Sequence, residues 1–528
     1  MSGLRPRTPF HPLLIAAYPV LFLAAANIRE MQLGNALRAL WVSVVLAALL
    51  TLLIRLLIGR WDPAALIASG VLLTFFSYGH VYDSLKTTEF AGVLIGRHRL
   101  LVPLFAVGLL AMIVWARRRQ DWSVISPAFN WMSIVLVALP LFSIARFGIL
   151  TRSQPDPLTI PEQDPNSVSV RRDSAPDIYY IILDAYTRRD SLLSTFGVDN
   201  TPFLDELKQL GFVIPGCSLS NYSQTELTLA TTLNMAYLDD LGGSFDPTSN
   251  DRTRLFLLIR DNLVRRILEE RGYRTLAFET GFAWSEWTDA DGYYSPGQRS
   301  ERAADLGIPL NAFESLLLES TALRASFDAR IALPAALSMD LESPVELDRQ
   351  RTLYVLDQLP AIASTPGPKF VFAHIVAPHR PYVFQPTPGS ALVERSMIPG
   401  FEIKENRGYV LGYRNQVLYL NQRMPAILGQ IIDHSSSPPI IIVQGDHGAD
   451  DAPPRERMTN LTALYLPGLD ADMVESSFSP VNDFRLILKA YFGYDLPLLD
   501  RQTAFSPYKT PYDLTTVVPY CPPPAEAE

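Results

Sequence analysis

The chain has 528 residues, 48% of them hydrophobic, with 45 Lys and Arg against 54 Asp and Glu and two cysteines. A positive mean hydropathy of +0.12 beside a pI near 5.4 excludes an ordinary acidic soluble protein, and the length exceeds a single domain. Charge is split along the chain: residues 1–150 carry 13 Lys and Arg against 5 Asp and Glu, and residues 151–528 carry 32 against 49. An acidic C-terminal part without a basic patch argues against nucleic acid as a partner.

Five apolar spans come first, at about 10–28, 38–58, 63–81, 100–116 and 129–147. Each is near the roughly 20 residues that cross a bilayer core as helix. The stretches "RLLIGRWD", "IGRHR" and "WARRRQDW" break them, and Trp61, Trp115, Trp122 and Trp131 sit near span ends, where indole rings favour the interface. Five spans put the chain ends on opposite sides. Arg5, Arg7, Arg55, Arg60 and Arg117 to Arg119 fall on one side, and Arg29, Arg38, Lys86, Arg97 and Arg99 on the other. The richer side is the cytoplasmic one, so the C-terminal part is expected outside, in a multi-pass protein of the cell membrane. A cleaved signal peptide is the alternative for the first span, with Ala24, Ala25 and Ala26 as its small-residue site. Its loss leaves four spans and the same external location.

The polar, proline-rich stretch 149–174 reads as a linker. The expected division is a membrane region 1–148 with about five helices, this linker, an exported domain 175–520 and a disordered tail 521–528. Cys217 and Cys521 both lie beyond the linker, in a compartment that permits a disulfide.

From Asp177 the pattern alternates between strand and helix. "DIYYIILDAY" is short, β-branched and aromatic, and apolar on both faces, as a central parallel strand is. "TPFLDELKQLGF" is an amphipathic helix stopped at Gly211. "YRTLAFETGF" and "KFVFAHIVAP" repeat the strand signature, "YRNQVLYLNQRMPAILGQIIDH" is a long helix containing Pro425, and "SSPPIIIVQGDHGAD" holds a further buried strand. Such alternation predicts an α/β domain with a mainly parallel central sheet flanked by helices. Open α/β sheets bind ligands beyond the carboxyl ends of their strands. Those ends carry Asp184, His374 with His379, and Asp446 with His447.

In "VQGDHGAD", Gly445 and Gly448 let the chain bend so that Asp446 and His447 approach one ion. A carboxylate beside an imidazole suits zinc or manganese better than calcium. "SNYSQTELTLATTLNMAY", Ser220 to Tyr237, opens a helix rich in hydroxyls. Ser223 with Glu226 fits a capping box. Thr225 then lies in the first turn, where the helix dipole and free N–H groups favour anions. A divalent cation there activates a hydroxyl whose own pKa is far too high. Thr225 is the expected nucleophile, and Ser223 the second choice.

The ordered set "DIYYIILDAYTR", "SNYSQTELTLATTLNMAY", "FAHIVAPHRPYVF", "IIVQGDHGAD" and "TALYLPG" resembles the membrane-anchored, sulfatase-like branch of the alkaline phosphatase superfamily. That branch includes lipoteichoic acid synthases and phosphoethanolamine transferases. The resemblance covers roughly residues 175–515 and implies an N-terminal transmembrane helical bundle followed by an alkaline-phosphatase-like α/β domain. It implies Asp184, Thr225, Asp446 and His447 as ligands of a catalytic Mn or Zn ion, with a second ion allowed, and a covalent phospho-threonine. It implies that His379, in "PHRP", contacts substrate phosphate or a second metal, with His374, Asn221 and Ser223 also at the substrate. The motif C/S-x-P-x-R that sulfatases convert to formylglycine is missing at "CSLSN", which argues against sulfate-ester hydrolysis.

The expected activity is transfer of a phospho-head group from a membrane phospholipid donor to an acceptor hydroxyl on a glycan, lipid or polymer. The alternatives are a hydrolase with water as acceptor and a non-catalytic membrane protein that binds metal or glycan. A channel built from the spans is poorly supported, since they carry almost no internal ionisable residues.

Overall fold

The structure is a computed structural model. It describes residues 8–28, 31, 33–86, 88–90, 93–152, 158–162, 175–243, 245–296, 311–328, 344–385, 407–450, 452–471, 474, 478–518, 520 and 521. The chain forms two compact units, Met1–Arg152 with Gln298–Pro344 and Ser153–Gly297 with Val345–Glu528.

The first unit contains α1 (His11–Ala26), α2 (Gly34–Ile58), α3 (Trp61–Leu85), α4 (His98–Arg118) and α5 (Ile125–Arg152). Among the described residues four helices are long and apolar enough to cross a membrane: α2, α3, α4 and the Ile125–Ile149 part of α5. The first expected span is instead the 16-residue α1. At 1.5 Å per residue it reaches ~24 Å, short of the roughly 30 Å hydrocarbon core. It is still integral to the unit. It packs on α2, α3 and α5, and its Ala16 and Val20 are completely buried. Cleavage after Ala26 would bare the faces of three helices. Leucines and valines stay exposed on α2 and α4, among them Leu56, Leu57, Val107 and Leu110, as a lipid-facing surface requires.

The second unit is built on six strands: β1 (Ile178–Leu183), β2 (Arg274–Phe278), β3 (Gly292–Tyr294), β4 (Lys369–Ile375), β5 (Ile440–Gln444) and β6 (Thr462–Tyr465). Among the described residues they form one sheet in the order β3-β2-β4-β1-β5-β6. Every neighbouring pair is parallel except β5 with β6. All six residues of β1 are completely buried, because both faces are covered. The two-residue strand period divides them. Ile178, Tyr180 and Ile182 join the core under the helices Thr225–Asn234, Leu263–Glu270 and Asp483–Phe492. Tyr179, Ile181 and Leu183 join the core under Thr201–Gln209, Pro344–Ala363 and Arg407–His434.

Register determines what the sheet presents at its end. Ile182 is level with His374 on β4 and with Gln444 on β5. Three strands therefore stop together, and the residues just beyond them share one edge.

Part of the expected linker lies against this unit: Leu158 and Ile160 pack on its core, and the Leu158 carbonyl accepts a hydrogen bond from Arg266 at 3.0 Å. The rest of the linker beyond Arg152, and residues 522–528 of the expected tail, lie outside the described residues. Cys217 and Cys521 are joined in a disulfide that closes a loop of 304 residues. Loop-closure entropy for that span amounts to roughly 5 kcal/mol as an upper bound. Cys521→Ser is therefore expected to lower the thermal midpoint of the oxidised protein, and added reductant to erase the difference, as read in paired melting curves.

Candidate active site

Asp184 follows β1 directly. Its backbone N–H continues the ladder by donating to the Ile375 carbonyl at 3.0 Å. Ala185 then turns the chain with a φ of +63°, a left-handed conformation that costs a non-glycine residue about 1 kcal/mol. Two contacts hold it there. The Ala185 N–H donates to Asp446 Oδ1 at 2.8 Å, and its carbonyl accepts from the Tyr413 hydroxyl at 2.7 Å. Asp446 thus binds the neighbouring strand end with one oxygen and leaves the other free.

Gly445 and Gly448 are needed, though not for the reason expected. Neither has a positive φ. A Cβ on Gly445 would overlap the Tyr186 carbonyl oxygen, and one on Gly448 the Glu456 carbonyl oxygen. Close backbone approach demands glycine here, not a special bend.

Asp184, Asp446 and His447 are all buried, with ligand atoms within 4.8 Å of one another. Asp184 Oδ1 and Asp446 Oδ2 have no hydrogen-bond donor. His447 Nδ1 sits 2.8 Å from the Gly448 carbonyl, an acceptor only, so Nδ1 carries the proton and Nε2 presents a lone pair. Burial and then the Arg457 charge lower the pKa of His447, which keeps the ring neutral. That lone pair lies 3.2 Å from Asp446 Oδ2 and 3.1 Å from Thr225 Oγ1. Two buried carboxylate oxygens without a donor and an imidazole nitrogen, approached by the Thr225 hydroxyl and the Arg457 guanidinium, form a set that fits a divalent cation.

Thr225 is the first residue of the helix Thr225–Asn234, after Gln224 in extended conformation, and no side chain caps that helix. The capping box expected from Ser223 and Glu226 does not form. The Ser223 hydroxyl accepts from the Ser506 N–H at 3.0 Å, and buried Glu226 pairs with Arg252 at 3.5 Å. Asn221 is likewise spent internally, donating to the Gln502 carbonyl at 2.9 Å and accepting from the Val481 N–H at 2.9 Å. Among the expected site residues, the structure brings Asp184, Thr225, Asp446 and His447 into one cluster. Asn221 and Ser223 stay outside it.

The two remaining histidines surround the cluster. His374, almost fully buried on β4, donates from Nε2 to Asp184 Oδ2 at 3.1 Å. His379 points Nδ1 at the Arg380 carbonyl, 2.6 Å away, and Nε2 at Asp450 Oδ2, 3.1 Å away. Both nitrogens face acceptors, the arrangement of an imidazolium. Burial opposes that charge, but Asp450 and Asp184 outweigh it and raise the pKa. For Asp184, burial favours the neutral acid, yet His379 and His374 prevail and lower its pKa.

Asp450 and Arg457 were not among the expected site residues. Arg457 donates to His447 Nε2 at 3.2 Å and to the Ser223 carbonyl at 2.9 Å, and it pairs with Asp450. Asp450 stood in the quoted "DHGAD", but its partner arginine lies on the four-residue helix Pro454–Arg457, too short to leave a sequence pattern.

A buried carboxylate–imidazole metal site at the carboxyl edge of a mainly parallel sheet, facing a threonine at a helix N-terminus, defines a sulfatase-like enzyme of the alkaline phosphatase superfamily. The family model described as Sulfatase matches residues 176–466, more than half of the chain, and the chain belongs to that family. Among curated proteins no sequence matches. Among solved structures the chain is similar to the C-terminal periplasmic domain of EcEptC from Escherichia coli in complex with Zn, at 14% identity and a TM-score of 0.41, over 66% of this chain and 93% of that one. It is similar to the integral membrane lipooligosaccharide phosphoethanolamine transferase A (EptA) from Neisseria meningitidis, at 13% and 0.38, over 91% and 95%. A third likeness is the lipoteichoic acid synthase LtaP from Listeria monocytogenes, at 13% and 0.35, over 68% and 79%.

The glycine contacts yield a direct test. Gly445→Ala is expected to destabilise the protein by about 1–3 kcal/mol through overpacking and to reduce metal retained per chain, measured together by thermal melting and elemental analysis.

Proposed function

We propose that this protein is a metal-dependent phosphotransferase that moves a phospho-head group from a membrane phospholipid to an acceptor hydroxyl on a glycan, lipid or polymer, through a phospho-threonine at Thr225. One observation carries the reading: Thr225 Oγ1 lies 3.1 Å from the unprotonated Nε2 of His447, at an uncapped helix N-terminus and beside two unpaired carboxylate oxygens. Asp184, Asp446 and His447, with Thr225 as the fourth donor, would hold a Zn or Mn ion, which supplies Lewis acidity that lowers the hydroxyl pKa and offsets phosphoryl charge.

The chain's own groups account for the rest. Thr225 Oγ forms a bond to phosphorus as the bond to the donor's alcohol oxygen breaks; the threonine proton passes to water and the departing alkoxide takes one up. His379, held as an imidazolium by Asp450, binds a phosphoryl oxygen or returns a proton to the departing alcohol. Arg457, whose guanidinium reaches His447, and the first-turn N–H groups meet the negative charge that builds on phosphorus. An acceptor hydroxyl then attacks the phospho-threonine, takes the phosphoryl group and restores the threonine hydroxyl. His374 holds Asp184 in place from behind. The missing C/S-x-P-x-R motif supports phosphorus rather than sulfur as the reacting centre.

The domain with Asp184 to His447 is placed outside the cytoplasmic membrane, following 1–148 and the linker 149–174. Arg55, Arg60 and Arg117 to Arg119 stay on the cytoplasmic side, and the Cys217–Cys521 bridge fits an oxidising compartment.

Incubation with candidate phospholipids followed by peptide mass spectrometry is expected to reveal a phosphorylated adduct on Thr225. Thr225→Ala should lower turnover by roughly three orders of magnitude or more while retaining bound metal, and Ser223→Ala should leave the adduct intact. Chelation should abolish turnover, and Zn or Mn should restore it. An adduct on another side chain would overturn the nucleophile. Head group released without labelling of any acceptor would favour hydrolysis.

A further inference from the structure

The segment Gln298–Pro344 leaves the catalytic unit after Gly297, folds with the membrane unit, and returns at Val345. Its described part, 311–328, holds two short helices, Ala312–Glu319 and Leu323–Asp328. Three independent features fasten it to the membrane helices.

The first is a paired charge. Arg38 on α2 grips Glu314 with two donors, Nε to Oε1 at 2.6 Å and a terminal nitrogen to Oε2. The Glu314 side chain is only 6% exposed. Asn311 completes the clasp: its Oδ1 accepts from the Glu314 N–H at 2.9 Å, and its Nδ2 donates to the Asn35 carbonyl at 2.9 Å.

The second is apolar. Phe313 and Leu317, one helical turn apart on the same face, are buried in the same cluster as Ile15, Val20, Ala39 and Phe76 of α1, α2 and α3.

The third lies in the backbone of α3. Here the Phe75 carbonyl accepts from the Ala322 N–H at 2.8 Å, and the Gly79 N–H donates to the Ser320 carbonyl at 3.0 Å. The Ser320 carbonyl and the Ala322 N–H thus both bond to the backbone of α3. A Cβ on residue 79 would overlap the Ser320 backbone, so glycine leaves the space this segment occupies. Two backbone hydrogen bonds and a close backbone approach hold the segment against α3.

We propose that residues 311–328 are a second membrane anchor, which holds the catalytic unit to the helical unit independently of the 149–174 linker. The partner surface is the end of the bundle where α2 begins and α3 ends. The proposal concerns attachment and stands whatever the active site turns over.

The test uses the full-length protein with a protease site placed between residues 163 and 174 and a tag at the N-terminus. After solubilisation in mild detergent and cleavage, the C-terminal fragment is expected to co-purify with the tagged helices. Arg38→Glu, which sets two carboxylates against each other, should lower the retained fraction roughly tenfold or more. Arg38→Glu combined with Glu314→Arg should recover most of it. Phe313→Asp changes the inserted segment alone and should release the fragment even if Arg38→Glu fails to fold. Separation of the nicked wild-type protein would overturn the proposal, as would full retention in both Arg38→Glu and Phe313→Asp.

Discussion

The constraint behind the site is the burial of two carboxylates, Asp184 and Asp446, side by side at the ends of adjacent parallel strands. Like charges at that separation disfavour joint ionisation, and burial adds to the penalty. The chain compensates from outside the pair: His374 donates to Asp184, the Ala185 N–H donates to Asp446, and Arg457 and His379 stand close by. Each outer contact occupies one oxygen and leaves one oxygen of each carboxylate facing inward. A cation would add positive charge to that interior, and His447 turns its Nε2 to the same point because its other nitrogen is committed to the Gly448 carbonyl.

The same logic singles out one hydroxyl from a crowded run. Ser220 donates to the Met458 carbonyl, Thr228 to the Tyr222 carbonyl and Thr231 to the Leu227 carbonyl, while Ser223 exchanges hydrogen bonds with Ser506. Thr225 alone among these five faces an imidazole lone pair. Its partners, more than its position in the helix, carry the role proposed for it, since a first-turn threonine by itself is only a helix start.

The strands and their ends were legible because their signal is local. "IYYIIL", "KFVFAHI" and "IIIVQ" are apolar on both faces and too short for helices, and Asp184, Asp446 and His447 follow within three residues of β1 and β5. The capping box was misread for the opposite reason. Ser223 had a plausible local partner in Glu226, but Ser506, 283 residues away, is the one it meets. Arg457 escaped notice because only the fold brings it to His447. Gly445 was flagged as a bend, whereas its need comes from Tyr186, a neighbour across the sheet edge. The Arg38–Glu314 clasp spans 276 residues, and no window of sequence marks Glu314 as belonging with the membrane helices.

That clasp also bears on orientation. For helices that each cross the bilayer in turn, the end where α2 begins is the end where α3 stops, α4 starts and α5 stops. The inserted segment meets Arg38 near the beginning of α2 and Phe75 and Gly79 in the last turns of α3, so it docks at that end. That end carries Arg38, Lys86, Arg97 and Arg99, and the other carries Arg55, Arg60 and Arg117 to Arg119. Charge bias is an argument about insertion: the loops richer in arginine are the ones expected to stay on the cytoplasmic side.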